Sequence, residues 1–240
     1  MALKIQKLRQ NRRFHDVVEQ LQDAILSGEL KPGETLPPEM KLKEMFDTGR
    51  GTIREALRIL EQKGLVDIRI GAGGGAFVKE MGTEKISEHL NMLIQFKKVD
   101  IDHISKFREG VEGLVAEIAA QKSTAGDIEA LRALLARIES LLDQDHSYWD
   151  RFIEIDIELH KAIAKIAANP IYEAVIDMIH QNIIGKDVHF TEKDKGVLEQ
   201  NLADLTAIVD AIEQKDGTEA KRMARVHVTR FKDNLANELN

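Results

Sequence analysis

One stretch, residues 48–65, constrains the fold most, because it places an apolar stripe and a row of arginines on a single helix. The apolar residues recur at the spacing of one helix face: Ile53, Ala56, Leu57 and Leu60. Arginines occupy the entry turn and another face: Arg50, Arg54 and Arg58. Gly64 is predicted to end the helix, since glycine readily adopts the backbone conformation that follows a last helical turn.

A shorter helix is predicted just upstream, over residues 38–46, with Leu42, Met45 and Phe46 on one side. Residues 47–51 form the tight turn between the two helices. Two short helices joined in this way make a helix-turn-helix, whose second helix presents its first residues to base edges in the major groove. A surface helix can also carry three arginines for solubility alone, so the pattern by itself leaves both interpretations open.

The residues after the second helix favour DNA binding. Residues 66–70 alternate as a strand does, residues 71–76 are a glycine-rich turn, and Phe77 and Val78 begin a second strand. Helix, helix and hairpin in this order are a winged helix. A phosphate-binding loop is the alternative for the glycines, but no Lys-Ser/Thr pair follows them and no helix opens after them.

These residues resemble the DNA-binding domain of GntR-family bacterial repressors over about residues 13–79. The matching segments are Gly28-Glu-Leu-Lys-Pro-Gly33, Leu36-Pro37, Arg50, Arg54-Glu-Ala-Leu-Arg58, Leu60, Gly64-Leu65 and the wing that ends in Phe77-Val78. Two positions depart from the family pattern. Gly49 stands where a serine is usual, and Met40, followed by Lys41, stands where many members have arginine.

The resemblance implies a set of DNA contacts. Arg50 and Arg54 are expected to read bases or adjacent phosphates, with Arg58 on the same surface and with Lys41 and Thr52 on the backbone. The wing is expected to approach the minor groove through Gly73, Gly74 and Gly75. The partner is then double-stranded DNA with a palindromic operator, because a two-fold dimer reads a two-fold site.

Composition limits the class of protein. The 240 residues suffice for two domains, and 43% apolar with 31% charged residues is typical of a soluble globular chain. Cysteine is absent, which excludes disulfides and thiolate metal sites. No apolar run approaches the roughly 20 residues of a membrane span, and no signal peptide is evident, so we expect a cytoplasmic protein without a membrane partner.

The net charge of −7 is unexpected for a DNA-binding protein, but the charge is distributed unevenly along the chain. Residues 1–80 hold 14 basic against 12 acidic residues, whereas the remainder has a net charge of −9. The basic residues at the front also cluster before the first helix. The acidic second part of the chain reduces non-specific binding to the phosphates of DNA. The basic residues near the N-terminus supply the phosphate contacts that position the protein on the duplex.

The second half is predicted to be all-helical. We expect a mainly α protein: a winged helix-turn-helix domain at 10–80 (α/β), a linker at 81–85, and an all-α antiparallel helical-bundle domain for effector binding and dimerisation at 86–236. The predicted helices cover residues 14–27, 86–96, 101–121, 127–142, 148–167, 170–184, 197–214 and 218–239, besides the two already given.

This half resembles the all-helical effector domain, called FCD, of the FadR-type subfamily. The matching residues are Arg108-x-x-x-Glu112, Ala119-Ala120, Asp156-x-x-x-His160, Asn169, Ala211-Ile212, Asp216, Ala220 and His227. The resemblance implies a homodimer and a bundle that binds a small organic acid, often beside a divalent metal such as Zn²⁺ or Ni²⁺. The implied effector-binding residues are Arg108, Asp156, His160, Asn169 and His227.

Asp156 and His160 lie one turn apart on one helix face, so both can ligate one ion, and His227 is the third metal ligand implied by the resemblance. An ordinary Asp–His hydrogen bond is the alternative. Metal-binding members of the subfamily carry a further histidine 22 residues before the last one. That position is Leu205 here, with Asn201 one turn earlier, so three ligands stand where four are expected.

Arg108 lies in a helix whose predicted apolar face is Val111, Leu114 and Val115, and a buried guanidinium needs a carboxylate. The partner is either Glu112 or an acidic effector. The remaining histidines have no partner at a recognisable spacing and are expected to be surface or core residues: His89, His103, His146, His180 and His189.

The sequence contains no nucleophile motif and no phosphate loop. We therefore expect a bacterial transcriptional regulator, with repression as the expected mode, whose operator affinity is controlled by a small carboxylate. Two alternatives are a metal-dependent hydrolase using Asp156, His160 and His227, and a helical protein-interaction scaffold. The hydrolase does not account for the winged helix at the front.

Overall fold

Helices dominate the computed structural model, which describes residues 12–71, 73–80, 82–142, 148–183 and 195–238. The elements are, in chain order, α1 (Arg12–Leu26), α2 (Glu39–Met45), α3 (Arg50–Gln62), β1 (Val66–Arg69), β2 (Gly75–Val78), α4 (Glu84–Lys97), α5 (Ile101–Lys122), α6 (Ala125–Glu139), α7 (Tyr148–Ile166), α8 (Pro170–Ile183), α9 (Lys195–Glu213) and α10 (Gly217–Glu238). They belong to two compact units, residues 1–85 and 86–240. The predicted fold class, a winged helix followed by an all-helical domain, is confirmed.

The first unit is built around the apolar stripe of α3. Ile53, Ala56 and Leu60 are fully buried, and they pack against α1 and against Leu42 of α2. The two strands pair antiparallel, with Val66 opposite Val78, and Leu36 extends the hairpin by donating its N–H to Ala76. This core fixes α3 with its arginine-bearing face away from the interior.

Glycines set both ends of α3. Gly49 is the N-cap and contributes no side-chain cap, so the first turn lacks the hydroxyl that a serine would provide. Gly64 adopts φ +76°, and the N–H of Leu65 then bonds the carbonyl of Leu60. This pattern closes the helix and turns the chain into β1.

Met45 does not join the core as the sequence predicted. Its side chain is 63% exposed, whereas Leu42 is buried and Phe46 packs partly against the core. The short α2 contacts its neighbours through the single row formed by Leu42 and Phe46, which lie four residues apart. Met45 lies beside that row and projects outward.

In the second unit α10 packs along both α5 and α9, and a core of aliphatic residues joins α5, α6, α7, α8 and α9. A glycine of α5 faces α10 at close range. A Cβ added at Gly113 of α5 would lie 3.0 Å from Cγ of Arg225 on α10 and 3.3 Å from the carbonyl oxygen of Lys221. The absence of a side chain at Gly113 therefore lets α5 and α10 pack tightly.

The buried face of α5 is rotated from the one predicted. Leu114 is 36% exposed and Phe107 is 50% exposed, while Arg108, Glu112 and Val115 are buried. Arg108 was expected inside the bundle, with Glu112 or an acidic effector as its partner, whereas Leu114 was wrongly expected on the buried face. The two charges pair with each other and lie inside the bundle.

Helix α4 has an exposed apolar side and makes at most slight contact with the other described elements. Met92, Leu93 and Phe96 are 56%, 51% and 83% exposed. Among the described residues, no helix has the length and apolar content required to cross a bilayer.

Candidate functional site

The first candidate site is the arginine-bearing surface of α3. The side chains of Arg50 and Arg54 are 63% and 61% exposed, and Arg58 is exposed one turn further along. Glu39 of α2 lies 3.9 Å from Nη2 of Arg50 and 3.8 Å from Nε of Arg54, so it orients both guanidinium groups without holding either in a short bond. Lys41 is exposed on α2, and Thr52 is half-buried on α3.

The wing is a tight glycine turn between β1 and β2. Gly71 and Gly73 have φ values of +110° and +84°, which favour glycine, and a Cβ at Gly74 would lie 2.3 Å from the carbonyl oxygen of Arg69. The guanidinium of Arg69 lies 4.3 Å from the ring centre of Phe77 and bonds Asp67 at 3.0 Å. These contacts stiffen the hairpin.

The second candidate site is a buried polar cluster inside the helical unit. Its members come from four helices and are all at most 4% exposed: Arg108 and Glu112 on α5, Asp156 and His160 on α7, His180 on α8 and His227 on α10. Aliphatic residues of the core surround the cluster. Burial of this many ionisable groups is costly unless they pair or bind an ion.

Glu112 is the centre of one half of the cluster. Nε of Arg108 donates to its Oε1 at 2.6 Å, and Nδ1 of His160 donates to its Oε2 at 3.0 Å. Nε2 of His180 lies 3.4 Å from Oε1. Burial opposes ionisation of Glu112, but Arg108 and the two histidines outweigh it and hold its pKa well below the usual range.

Asp156 is the centre of the other half. Its Oδ1 lies 3.7 Å from Nε2 of His160 and 3.5 Å from Nε2 of His227, and none of these three atoms has a hydrogen-bond partner within the described structure. Burial disfavours its charged form, yet His160 and His227 outweigh burial and lower its pKa to about 2. A carboxylate and two imidazole nitrogens therefore converge, unpaired, on one buried point.

The two histidines that face Glu112 differ in charge preference. Burial disfavours the charged form of His160, but the carboxylates of Glu112 and Asp156 outweigh it and raise its pKa. Burial dominates at His180 and lowers its pKa to about 4, so its ring is neutral at physiological pH. The rings stack with their centres 4.7 Å apart.

His180 was missed as a site residue by the sequence analysis, which gave it only a surface or core position. No spacing rule connects it to the cluster, because its partners lie on other helices. Its neighbours Ile176 and Ile179 are both buried, and they mark the same side of α8 as interior. A histidine on that side, in a chain with other buried histidines, was the available signal.

Other predicted residues lie elsewhere. The Oδ1 of Asn169 accepts from the N–H of Ile171 at 3.0 Å and so caps the start of α8. Leu205 is fully buried among apolar neighbours, and the Nδ2 of Asn201 donates to the carbonyl of Val197. His103 is exposed and bonds Asp100, whereas His146 and His189 lie outside the described residues.

Comparison with known proteins defines the family. Residues 14–78 match the model for bacterial regulatory proteins of the gntR family, and residues 103–230 match the FCD domain. The chain belongs to the GntR family. Its two matched segments correspond to the two units of the structure, so the DNA-binding and effector domains of a GntR-family regulator are both present.

Individual relatives of this GntR-family protein are similar over most of their length. It is 33% identical to the HTH-type transcriptional repressor NanR of Cronobacter sakazakii, with 88% of this chain and 81% of the relative covered. It is 27% identical to the regulator LutR of Bacillus subtilis, with 88% and 96% covered. The solved structure of a GntR protein from Streptococcus agalactiae matches with a TM-score of 0.72 at 23% identity, over 92% of this chain and 99% of that one.

The matched families and relatives are transcriptional regulators, not enzymes. This protein is therefore a DNA-binding transcriptional regulator with an FCD effector domain, and the hydrolase considered from the sequence is set aside. FCD domains bind small-molecule effectors, which directs attention to the buried cluster.

Proposed function

We propose that the protein is a metal-containing repressor that binds a palindromic operator as a homodimer and is controlled by a small carboxylate effector. The observation that carries the metal and effector parts is the buried convergence of Asp156, His160 and His227 with their facing atoms unpaired. The helical effector domain and the order of its motifs favour the FadR-type subgroup. Because the protein acts on DNA, a cytoplasmic location is favoured.

The residues that we expect to read the operator lie at the start of α3. Arg50 and Arg54 lie in the first turns of the recognition helix, where residues reach base edges, and neither is held by a short ion pair. A guanidinium that bonds guanine is worth about 1–3 kcal/mol of discrimination. We expect Lys41, Thr52 and the glycines of the wing to contact the backbone, with Arg58 alongside.

The test begins with recovery of the operator from fragmented genomic DNA by the purified protein. Arg54→Ala should weaken binding to the recovered site roughly tenfold or more and relax its preference at one base pair. Arg222→Ala is the matched control, because it removes an equally exposed arginine from α10. Unchanged affinity in Arg54→Ala would show that this arginine does not read the operator.

The metal part depends on how well the cluster fits a divalent ion. Ligand bonds of about 2.1 Å in a tetrahedral site separate neighbouring ligand atoms by about 3.4 Å. The separations from Asp156 Oδ1 are 3.7 Å and 3.5 Å, so small movements suffice. The hydrogen bond from Nδ1 of His160 to Glu112 leaves Nε2 to face the ion, which is the usual support for a metal-ligating histidine.

Residue 205 offers no fourth metal ligand, and this would leave one coordination position open to the effector. Asp156, His160 and His227 would hold a Zn²⁺ or Ni²⁺ ion, and with Leu205 in the core, water or the carboxylate of the effector would supply the remaining ligand. The cavity beside His160 and Glu112 measures only about 10 Å³, about the minimum for one water. An organic acid therefore enters only after neighbouring side chains move, and the Nε of Arg108 becomes available to it only when Glu112 releases this group. This movement is the step by which binding alters operator affinity.

Two measurements test this part. Protein purified without added metal is analysed for metal content, with His160→Ala expected to lose the ion and His103→Ala, a change at an exposed histidine, expected to keep it. Hydroxy, keto and sugar acids are then screened for an increase in melting temperature and for release of operator DNA. A metal-free wild type refutes the metal centre, and no responsive acid refutes the carboxylate effector.

The dimer part is supported by the exposed apolar side of α4. Met92, Leu93 and Phe96 lie together on a helix that makes little contact with the other described elements, and a second copy of the helical domain is the partner that would bury them. A dimer also places two recognition helices on two half-sites.

Light scattering coupled to size exclusion should give about twice the 27.0 kDa of one chain. Phe96→Glu should shift the mass toward the monomer, whereas Ile171→Glu, at a similarly exposed apolar position on α8, should not. A monomeric wild type would refute the homodimer.

A further inference from the structure

The buried cluster contains a second set of converging ligand atoms. Glu112, His160 and His180 each offer one atom within 4.8 Å of the others, as do Asp156, His160 and His227. All five residues are buried, and Nε2 of His180 has no hydrogen-bond partner within the described structure. The two sets share His160.

The shared imidazole makes the two sets mutually exclusive. Nδ1 of His160 faces Glu112 and Nε2 faces Asp156. A neutral imidazole carries its proton on one nitrogen and has a lone pair on the other, so it ligates in one direction at a time. With the proton on Nδ1, the ion lies beside Asp156. With the proton on Nε2, the ion lies beside Glu112.

The second set has distances suited to an ion. The separation from Glu112 Oε1 to Nε2 of His180 is 3.4 Å, and that from Oε2 to Nδ1 of His160 is 3.0 Å. Both are close to the roughly 3.4 Å expected between neighbouring tetrahedral ligands. His180 on α8 thus supplies the second imidazole of this set.

We propose that each chain holds one divalent ion in either of two overlapping positions, one between Asp156, His160 and His227 and the other between Glu112, His160 and His180. This inference rests on the metal part of the proposed function. In the second position the ion competes with Arg108 for Glu112, so the guanidinium is released from its 2.6 Å bond. The position of the ion then decides whether Arg108 is free to bind an acid.

Cobalt titration of chelator-treated, full-length protein tests the proposal, with visible absorbance reporting coordination. Loss of a partner that only supports a metal ligand costs about 10- to 100-fold in affinity, so loss of an imidazole ligand itself should cost on the order of 100-fold. His227→Ala should still bind one Co²⁺, weakened by less than that factor because the ion moves to the second position. His180→Ala alone should change the affinity little, and the double variant His180→Ala/His227→Ala should bind about 100-fold more weakly than His227→Ala.

Controls separate this inference from the proposed function. His160→Ala should lose both positions, and His103→Ala should bind as wild type. Any alanine variant that melts early is replaced by its glutamine counterpart, which keeps most of the side-chain volume. Equal binding by His227→Ala and the double variant overturns the second position alone, and two ions per wild-type chain overturn mutual exclusion. A wild type that binds no cobalt overturns the metal centre and this inference together.

Discussion

Replacement of Arg108 by leucine tests whether the buried cluster is a charge-balanced unit. Arg108 and Glu112 are 3% exposed and joined by a 2.6 Å bond, so the variant leaves a buried carboxylate without its strongest partner. Breaking a buried pair in this way costs about 3–5 kcal/mol. One kcal/mol corresponds to roughly 2–4 °C for a domain of this size, so the helical domain should melt about 10 °C lower.

The second variant in this test is the double change Arg108→Leu/Glu112→Gln. The glutamine removes the unpaired charge and keeps an oxygen that accepts from Nδ1 of His160. It should recover most of the lost stability, which urea denaturation of metal-free protein measures. Arg222→Leu, at an exposed surface pair, should leave the melting temperature unchanged. A loss below about 1 kcal/mol in Arg108→Leu, or a double variant no more stable than the single one, would refute the charge-balance argument.

Three further predictions concern other parts of the structure. Gly49→Ser, at an N-cap with open space around it, should stabilise the winged-helix unit by a few tenths of a kcal/mol, measured by urea denaturation. Gly74→Ala should weaken operator binding in a gel-shift titration, because its Cβ would meet the carbonyl of Arg69 at 2.3 Å; unchanged binding would exclude a role for the wing. Glu112 has a folded pKa well below its reference of 4.5, so its contribution is present above that pH and is lost on acidification. Metal-free wild type should therefore lose stability below pH 4.5 more steeply than Arg108→Leu/Glu112→Gln, and parallel curves would contradict this.

The winged helix could be predicted from sequence because its information is local. The spacing of Ile53, Ala56 and Leu60 defines one helix face, and glycines punctuate the turns around it. The ends of the helices were predicted less accurately than their faces. Helix α6 was predicted to start at residue 127, whereas Thr124 and Asp127 form a capping box that starts it at Ala125.

The cluster could be predicted only in part. Asp156 and His160 share a helix, so spacing alone brings them together, but His180 joins them through the packing of α8 against α5 and α7. The buried side of α5 was predicted less accurately. Arg108 was expected inside the bundle with Glu112 as one possible partner, and the two pair there. Leu114 was wrongly expected to be buried, because apolar character alone does not say which side of a helix its neighbours cover.

Gly113 follows Glu112 directly in α5, and a side chain there would meet α10, the helix that carries His227. A methyl group there would displace α10, and with it His227 relative to Asp156, although residue 113 has no polar side-chain atom of its own. The geometry of the buried cluster is thus set partly by how closely two helix backbones approach each other. A substitution at residue 113 would alter the cluster of this regulator without changing any of its ionisable residues.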